Sequence, residues 1–428
     1  MIKTGTYCEI KMSKKICVIV GASHAGVNFA FSLRKEGFEG EIIMYDKDPV
    51  LPYHRPPLSK AYLTADAPIE ENCLKSKESY EEENISLQLG IEVSDIQKEN
   101  QKVLLANGDE QPYDYLVLAT GARPIIPPIE GLKEAKHIYP LRTAQDVSNI
   151  KSWVKSAEMK RVVVIGGGYI GLETAASLKK LGASVVVLER EERILARVTA
   201  PVMSDFFQKL HTDKDVDVLT SKNVTSISTD QEGVNTVNCG DGSSYTADMI
   251  MVGVGVHVNL SLAQQLQLEI DNGIKVNEFT QTSLSNVYAI GDNTNHFNPH
   301  YKQWIRLESV QNAVDQAKVA AAHIAGTEKI YDTIPWFWSD QYEVKLQMVG
   351  LSQGYDEIIV REEEGDGIKF SVWYFKGEEL LAVDAINNAK AYVVGTKFIK
   401  ERKVMDKEKL RDVATVFKPA NLLAKAMS

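Results

Sequence analysis

Two stretches of this sequence follow the same plan, and that plan limits the fold more than any other feature. The first, from Ile16 to Asp46, sets the apolar run ICVIV before the turn GASHAG; apolar residues at helical spacing then run up to Gly37, and EIIMYD follows. The second, RVVVIGGGYIGLETAASLKKLGASVVVLER from Arg161 to Arg190, again gives strand, glycine turn, helix and strand. Short β-branched runs on either side of a helical period predict a βαβ unit. Two such units predict two nucleotide-binding domains. An ordinary parallel α/β fold with Gly-rich turns is the plainer reading of one loop alone, and it weakens when both loops carry matched flanks.

In such a loop the first glycine makes the tight turn and the second lets backbone approach a pyrophosphate. The third packs helix on strand, and the helix N-terminus faces the anion. Gly21 and Gly26 hold the outer positions of the first loop, while Ser23 replaces the middle glycine with a small hydroxyl able to donate to a phosphate. Asp46 closes the second strand, where an acid binds a ribose hydroxyl; Lys47 beside it leaves the register open by one residue. The second loop, Gly166-Gly167-Gly168-Tyr169-Ile170-Gly171, has all three glycines, with Glu189 as its acid. A carboxylate there accepts from both ribose hydroxyls and repels a 2′-phosphate, which favours NADH over NADPH; the adjacent Arg190 pulls the other way. The residues alone do not assign the first loop's nucleotide.

At 428 residues the chain is too long for one compact core. Its formal net charge of -10 argues against generic nucleic-acid binding, which needs clustered Lys and Arg. No apolar run reaches the length of about 18 that suggests a transmembrane helix. The start, MIKTGTYCEIKMSKK, is too mixed and polar for a signal peptide, and Met12 is an alternative start that would make residues 1–11 a lead. Of the four cysteines, Cys8, Cys17, Cys73 and Cys239, none forms C-x-x-C, so no disulfide or zinc framework is expected and a reducing cytoplasm fits. His296 and His300 are spaced i, i+4, but HFNPH reads as a loop, and no metal site is expected.

Between the βαβ units, the strand YLVLAT ends at Gly121 and Pro124, Pro127 and Pro128 follow, which marks a domain crossing. NVYAIGD ends at Asp292, before a polar loop and the helical run ESVQNAVDQAKVAAAHIAG. From about Tyr331 the tail is rich in Trp and Tyr, with strand runs IKFSVWYF and ELLAVDAI, and reads as a separate α+β domain.

LPYHRPPLSKAYL (51–63), LVLATGARP (116–124), VVVIGGGYIGLE (162–173), VYAIGD (287–292) and PWFWSDQY (335–342) occur in that order. Together they resemble the FAD-dependent ferredoxin reductases of bacterial oxygenase and P450 systems, the group of the putidaredoxin and rhodocoxin reductases, related to the rubredoxin reductases. The resemblance runs from about residue 15 to nearly the end. It implies an α/β flavoprotein of the glutathione-reductase class, with two Rossmann-like domains and a C-terminal α+β interface domain. FAD-binding segments 13–123 and 256–330 would enclose an NADH-binding domain, 124–255, and residues 331–428 would form the interface domain. The first loop would then hold FAD.

Carried over by motif, the implied FAD contacts are Gly21, Ser23, Ala25, Gly26, Asp46, Arg55, Lys60, Val93, Thr120, Gly121, Arg123, Arg142, Asp292 and Val310. For NADH they are Gly166, Gly168, Tyr169, Ile170, Gly171, Glu189, Arg190, Arg197 and Gly255. Lys60 and Glu173 would flank the flavin–nicotinamide contact from opposite sides, and Trp338 would stand beside the isoalloxazine ring. Without the motifs, Arg55 and Lys60 read as surface cations, Glu173 as a first-turn helix acid, Asp292 as a helix cap and Trp338 as core. His24 reads as a spacer. Val258 stands where the family has a proline before Asn259.

Disulfide reductases of this fold use C-x-x-C, and its NADH oxidases and peroxidases use a single early cysteine. PYHRPPLSKAYL has none. The implied activity is therefore electron transfer from NADH through FAD to a [2Fe-2S] ferredoxin serving a cytochrome P450 or a ring-hydroxylating (Rieske) oxygenase. The alternatives are a rubredoxin reductase, an apoptosis-inducing-factor-like flavoprotein with a binding role, and a monodehydroascorbate-type reductase. A monomer or homodimer without membrane or nucleic-acid partners is expected. Lys318 and Lys345 are candidate contacts for an acidic ferredoxin.

Overall fold

The computed structural model describes residues 14–424 apart from 364 and 366, so the proposed lead at 1–11 lies outside the described residues. The chain divides into two compact units, each discontinuous in sequence.

The first unit includes the chain up to Tyr53, Cys73–Gly121 and Asn259–Asp332. Its sheet is parallel throughout, in the order Val287–Ala289, Tyr115–Leu118, Ile16–Val20, Glu41–Asp46, Ile85–Leu89. Strands covered on both faces read as continuous apolar runs, and Cys17, Val18 and Ile19 are fully buried. The helices His24–Lys35 and Val310–Ile324 share one core cluster, Phe29, Ala30 and Leu33 from the first with Ala313, Ala317 and Ala320 from the second. The strand order reverses between Ile16–Val20 and Tyr115–Leu118, the switch point at which such sheets bind ligands.

The polar stretch after Asp292 is not a loop. Thr294–Asn298 pairs antiparallel with Gln303–Ile305, so His296 lies in a strand and HFNPH spans that strand's end and the turn after it. The buried positions there are polar, which hid the strand from an apolar-pattern reading. Asp292 is not a helix cap either: Ser309 caps Val310–Ile324, its hydroxyl accepting from the Asn312 N–H at 3.1 Å.

The second unit comprises His54–Asn72, Ala122–Val258 and the chain from Thr333. Its parallel sheet runs Val216–Leu219, Ser184–Leu188, Arg161–Ile165, Met249–Val252, Ile138–Pro140. The tail forms an antiparallel sheet in the order Trp336–Gln341, Val344–Gly350, Glu379–Ile386, Phe370–Lys376, Glu357–Glu362, with helix Ala389–Glu401 packed on it. Val258 pairs with Ala122 in a short antiparallel ladder, to which a proline would bring no N–H. Among the described residues no helix is long and apolar enough to cross a membrane, and no group of three His, Cys, Asp or Glu could hold a metal.

Candidate functional site

The two glycine loops are built alike. Gly21 has φ +107°, and a Cβ there would stand 2.3 Å from the Ala119 carbonyl oxygen. Gly166 has φ +111°, and its Cβ would stand 2.4 Å from the Gly253 oxygen. In each loop the third glycine lets helix and strand close: a Cβ at Gly26 would be 2.0 Å from Gly21 O, and one at Gly171 would be 2.1 Å from Gly166 O. The middle position is where the loops differ. Gly168 faces open space, whereas Ser23 is an extended N-cap whose side chain makes no capping bond.

Each loop is tied to its acid in the same way. The Ala22 N–H donates to Asp46 Oδ2 at 2.5 Å, and the Asp48 N–H to Oδ1 at 2.9 Å. The Gly167 N–H donates to Glu189 Oε2 at 2.6 Å, and the Glu191 N–H to Oε1 at 2.9 Å. Each carboxylate oxygen keeps a second lone pair for a hydroxyl donor. Asp46 is thus the acid tied to the first loop, while Lys47 pairs with Glu92 at the surface. Arg190 is an exposed side chain paired with Glu191 at 2.9 Å.

The first unit holds Gly21, Ser23, Ala25, Gly26, Asp46, Val93, Thr120, Gly121, Asp292 and Val310. Thr120 and Asn259 exchange hydrogen bonds: Thr120 Oγ1 donates to the Asn259 carbonyl at 3.0 Å, and Asn259 Nδ2 to the Thr120 carbonyl at 2.8 Å. Asn293, fully buried, donates to Leu118 O and Thr120 Oγ1, but its Oδ1 finds no protein partner. A buried acceptor of this kind next to Asp292, together with a glycine turn that any Cβ would fill, fits a bound nucleotide. Val93 packs in the core with Val20 and Tyr45, and Val310 begins its helix.

The second unit holds Arg55, Lys60, Arg123, Arg142, Glu173, Trp338, Arg197, Gly255 and the second loop. Arg55 Nη1 donates to the Arg142 carbonyl at 2.5 Å. Arg123 and Arg197 are exposed. Tyr169 packs on Phe337 at 5.2 Å, Ile170 is exposed, and Gly255 has φ +107° with only Ile125 near its Cβ position. Half-buried Trp338 lies 5.5 Å from Trp336 on an edge strand.

Lys60 and Glu173, expected on opposite sides of a flavin–nicotinamide contact, instead meet directly, Nζ to Oε2 at 2.6 Å, with the lysine side chain 18% and the glutamate 1% exposed. Ser59 Oγ donates to the same oxygen at 2.6 Å, and Ser339 Oγ to Oε1 at 2.6 Å. Neither serine was singled out from the sequence. Period-two alternation in WFWSDQ does put Ser339 and Gln341 on one face of a strand. Lys345 is exposed, and Lys318 lies 3.4 Å from Asp315.

The pyridine nucleotide-disulphide oxidoreductase family matches residues 15–317, and a reductase C-terminal family matches 336–420. The chain belongs to the pyridine nucleotide-disulphide oxidoreductase family. It is an FAD-dependent oxidoreductase that uses NAD(P)H. Among relatives, it is 41% identical to putidaredoxin reductase CamA of Pseudomonas putida, covering 96% of this chain and 97% of that one. It is 39% identical to rhodocoxin reductase of Rhodococcus erythropolis, over 92% of each. Its fold matches the reductase in the crystal structure of a covalent putidaredoxin reductase–putidaredoxin complex with a TM-score of 0.90 at 40% identity, covering 95% of this chain and 98% of that chain. The family's thiol chemistry has no counterpart at residues 51–63, which hold no cysteine. Cys17 is buried in its strand, and desolvation pushes its thiol far up.

Proposed function

We propose that this protein transfers electrons from NADH to a small [2Fe-2S] ferredoxin that supplies a cytochrome P450 or a ring-hydroxylating oxygenase. The net reaction is NADH plus two oxidised ferredoxins giving NAD+, two reduced ferredoxins and one proton. The observation that carries this reading is the match to putidaredoxin reductase over nearly the whole of both chains, C-terminal domain included. Bound FAD would supply the step between a two-electron hydride donor and one-electron acceptors.

The chain's own residues supply binding and orientation. Gly21, Gly26 and Asp46 would hold the FAD adenosine end, and Gly166, Gly168, Gly171 and Glu189 that of NADH. Glu189 supports NADH over NADPH, because a 2′-phosphate would meet its carboxylate while Arg190 is engaged by Glu191. Lys60 and Glu173 would tune hydride transfer as one unit, the lysine presenting positive charge and the buried carboxylate setting its position. In this reading residues 13–123 and 256–330 bind FAD, 124–255 bind NADH, and 331–428 form the interface domain, in a cytoplasmic protein. Exposed Lys345 makes no ion pair among the described residues, which supports steering of an acidic partner there more than at Lys318, already beside Asp315. The test is NADH-driven reduction of purified ferredoxin without oxygen. A protein that reduces ferricyanide but no ferredoxin would refute the partner class.

A further inference from the structure

A line of buried polar side chains leads away from Glu173 through the second unit. Glu173 Oε1 accepts from Ser339 Oγ at 2.6 Å. Ser339 Oγ accepts from Gln341 Nε2 at 3.3 Å, two residues along the same strand. Gln341 Oε1 lies 2.8 Å from His211 Nε2, on helix Pro201–Thr212. His211 Nδ1 lies 3.3 Å from the Tyr342 hydroxyl, in the turn after the strand. Ser339, Gln341 and His211 are each 1% exposed or less.

The donors can only run one way. An ionised carboxylate accepts and cannot donate, so the single Ser339 proton goes to Glu173 and Ser339 must accept from the Gln341 amide NH2. That turns Gln341 Oε1 toward His211, which must then carry its proton on Nε2. Nδ1 is left as an acceptor for Tyr342. Burial holds His211 below its ordinary titration range, consistent with a neutral ring. Each member thus removes a rotation, an amide flip or a tautomer from the next, and the chain ends by fixing the plane of the Glu173 carboxylate. That plane aims Oε2 at Lys60 and Ser59.

We propose that Ser339, Gln341 and His211 are positioning residues that hold the Glu173 carboxylate toward Lys60, and so set the rate of flavin reduction by NADH from a distance. This rests on the reading of Lys60 and Glu173 as the pair that tunes hydride transfer. A chain that only stabilised the fold would raise the melting temperature without singling out the Glu173-dependent step.

The experiment is anaerobic stopped-flow reduction of the FAD-loaded protein by NADH, with FAD content and melting temperature measured on every variant. Loss of one hydrogen bond to the carboxylate predicts that Ser339→Ala slows reduction about fivefold, with KM for NADH changed less than about twofold. Ser339→Thr should restore the rate. In a Glu173→Ala background Ser339→Ala should have no further effect, because the group it positions is gone. Gln341→Met, one step farther out, should slow reduction about two- to threefold and serves if Ser339→Ala does not fold. Independently of turnover, 15N NMR of histidine-labelled protein should show His211 as the neutral Nε2–H tautomer from pH 6 to 8. Slowing by the same factor with and without Glu173, or an Nδ1–H or protonated His211 at pH 7, would overturn the proposal. So would an unchanged rate in Ser339→Ala when Glu173→Ala is slow. Unchanged rates in Lys60→Met and Glu173→Ala would instead remove the pair's role itself.

Discussion

Lys60 and Glu173, 113 positions apart in sequence, are joined by a 2.6 Å ion pair in which the carboxylate is buried and the ammonium is partly open to solvent. The two partners are therefore not equivalent. Lys60→Met strands a buried charge that keeps only the two serine hydroxyls as side-chain donors, whereas Glu173→Gln leaves a neutral group that can still hydrogen-bond. Removing one member of a buried pair costs roughly 3–5 kcal/mol when nothing compensates; with two serines in place, about 1–3 kcal/mol is expected. Lys60→Met should therefore lower the melting temperature more than Glu173→Gln, and both should slow flavin reduction about tenfold or more. A lowered melting temperature in Lys60→Met with wild-type reduction rates in both variants would make the pair a structural salt bridge only.

Glu189 should decide the choice of nicotinamide nucleotide. Its Oε2 is held by the Gly167 N–H, so the carboxylate is pinned at the loop and cannot swing away from a 2′-phosphate. Wild-type kcat/KM should be higher for NADH than for NADPH, and Glu189→Ala should narrow the ratio by about tenfold. A wild-type preference for NADPH would mean that Arg190 leaves Glu191 to take the phosphate.

Ser23 and Gly21 should respond oppositely to substitution. Glycine serves nearly as well as serine at a helix N-cap, so Ser23→Gly should cost only a few tenths of a kcal/mol and retain FAD. Gly21→Ala places a Cβ 2.3 Å from Ala119 O at φ +107°, where no side-chain movement relieves the contact. That variant should lose FAD or fail to fold. Stoichiometric FAD in well-folded Gly21→Ala would show that the turn is more plastic than this geometry allows.

What could be read in the sequence was whatever local spacing encodes. Strand and helix periods located both βαβ units, and the glycines and terminal acids located both loops, because each relation spans a few tens of residues. The polar strand Thr294–Asn298 was missed since its buried side chains find polar partners rather than apolar neighbours: Thr294 and His296 meet Gln316 of a later helix, and Asn295 donates to the Asp271 carbonyl. The serines around Glu173 were missed for a related reason. Ser59 and Ser339 are 114 and 166 positions from it, and nothing in either local sequence names the partner.

Asp384 gives a pH signature. Burial pushes its carboxyl up to about 6, against the pull of hydrogen bonds from the Thr199 and Tyr374 hydroxyls. The folded value lies above the ordinary 3.8, so the folded chain is penalised for ionising this group above pH about 6, and the penalty fades as pH falls toward 4. The full effect is on the order of 3 kcal/mol. Relative to Asp384→Asn, the wild type should gain melting temperature between pH 7.5 and 5. Parallel profiles for the two proteins would mean that Asp384 titrates as an ordinary carboxylic acid.

The most direct measurement is stoichiometric. FAD-loaded protein at catalytic concentration is mixed without oxygen with limiting NADH and excess oxidised [2Fe-2S] ferredoxin, and bleaching of the ferredoxin is followed at low and high salt. Two ferredoxins should be reduced per NADH, at a rate that falls as salt rises and that is weakened at low salt by Lys345→Glu. A long-lived complex of reduced protein with NAD+ and no reduced ferredoxin, in a preparation that still reduces ferricyanide, would contradict it.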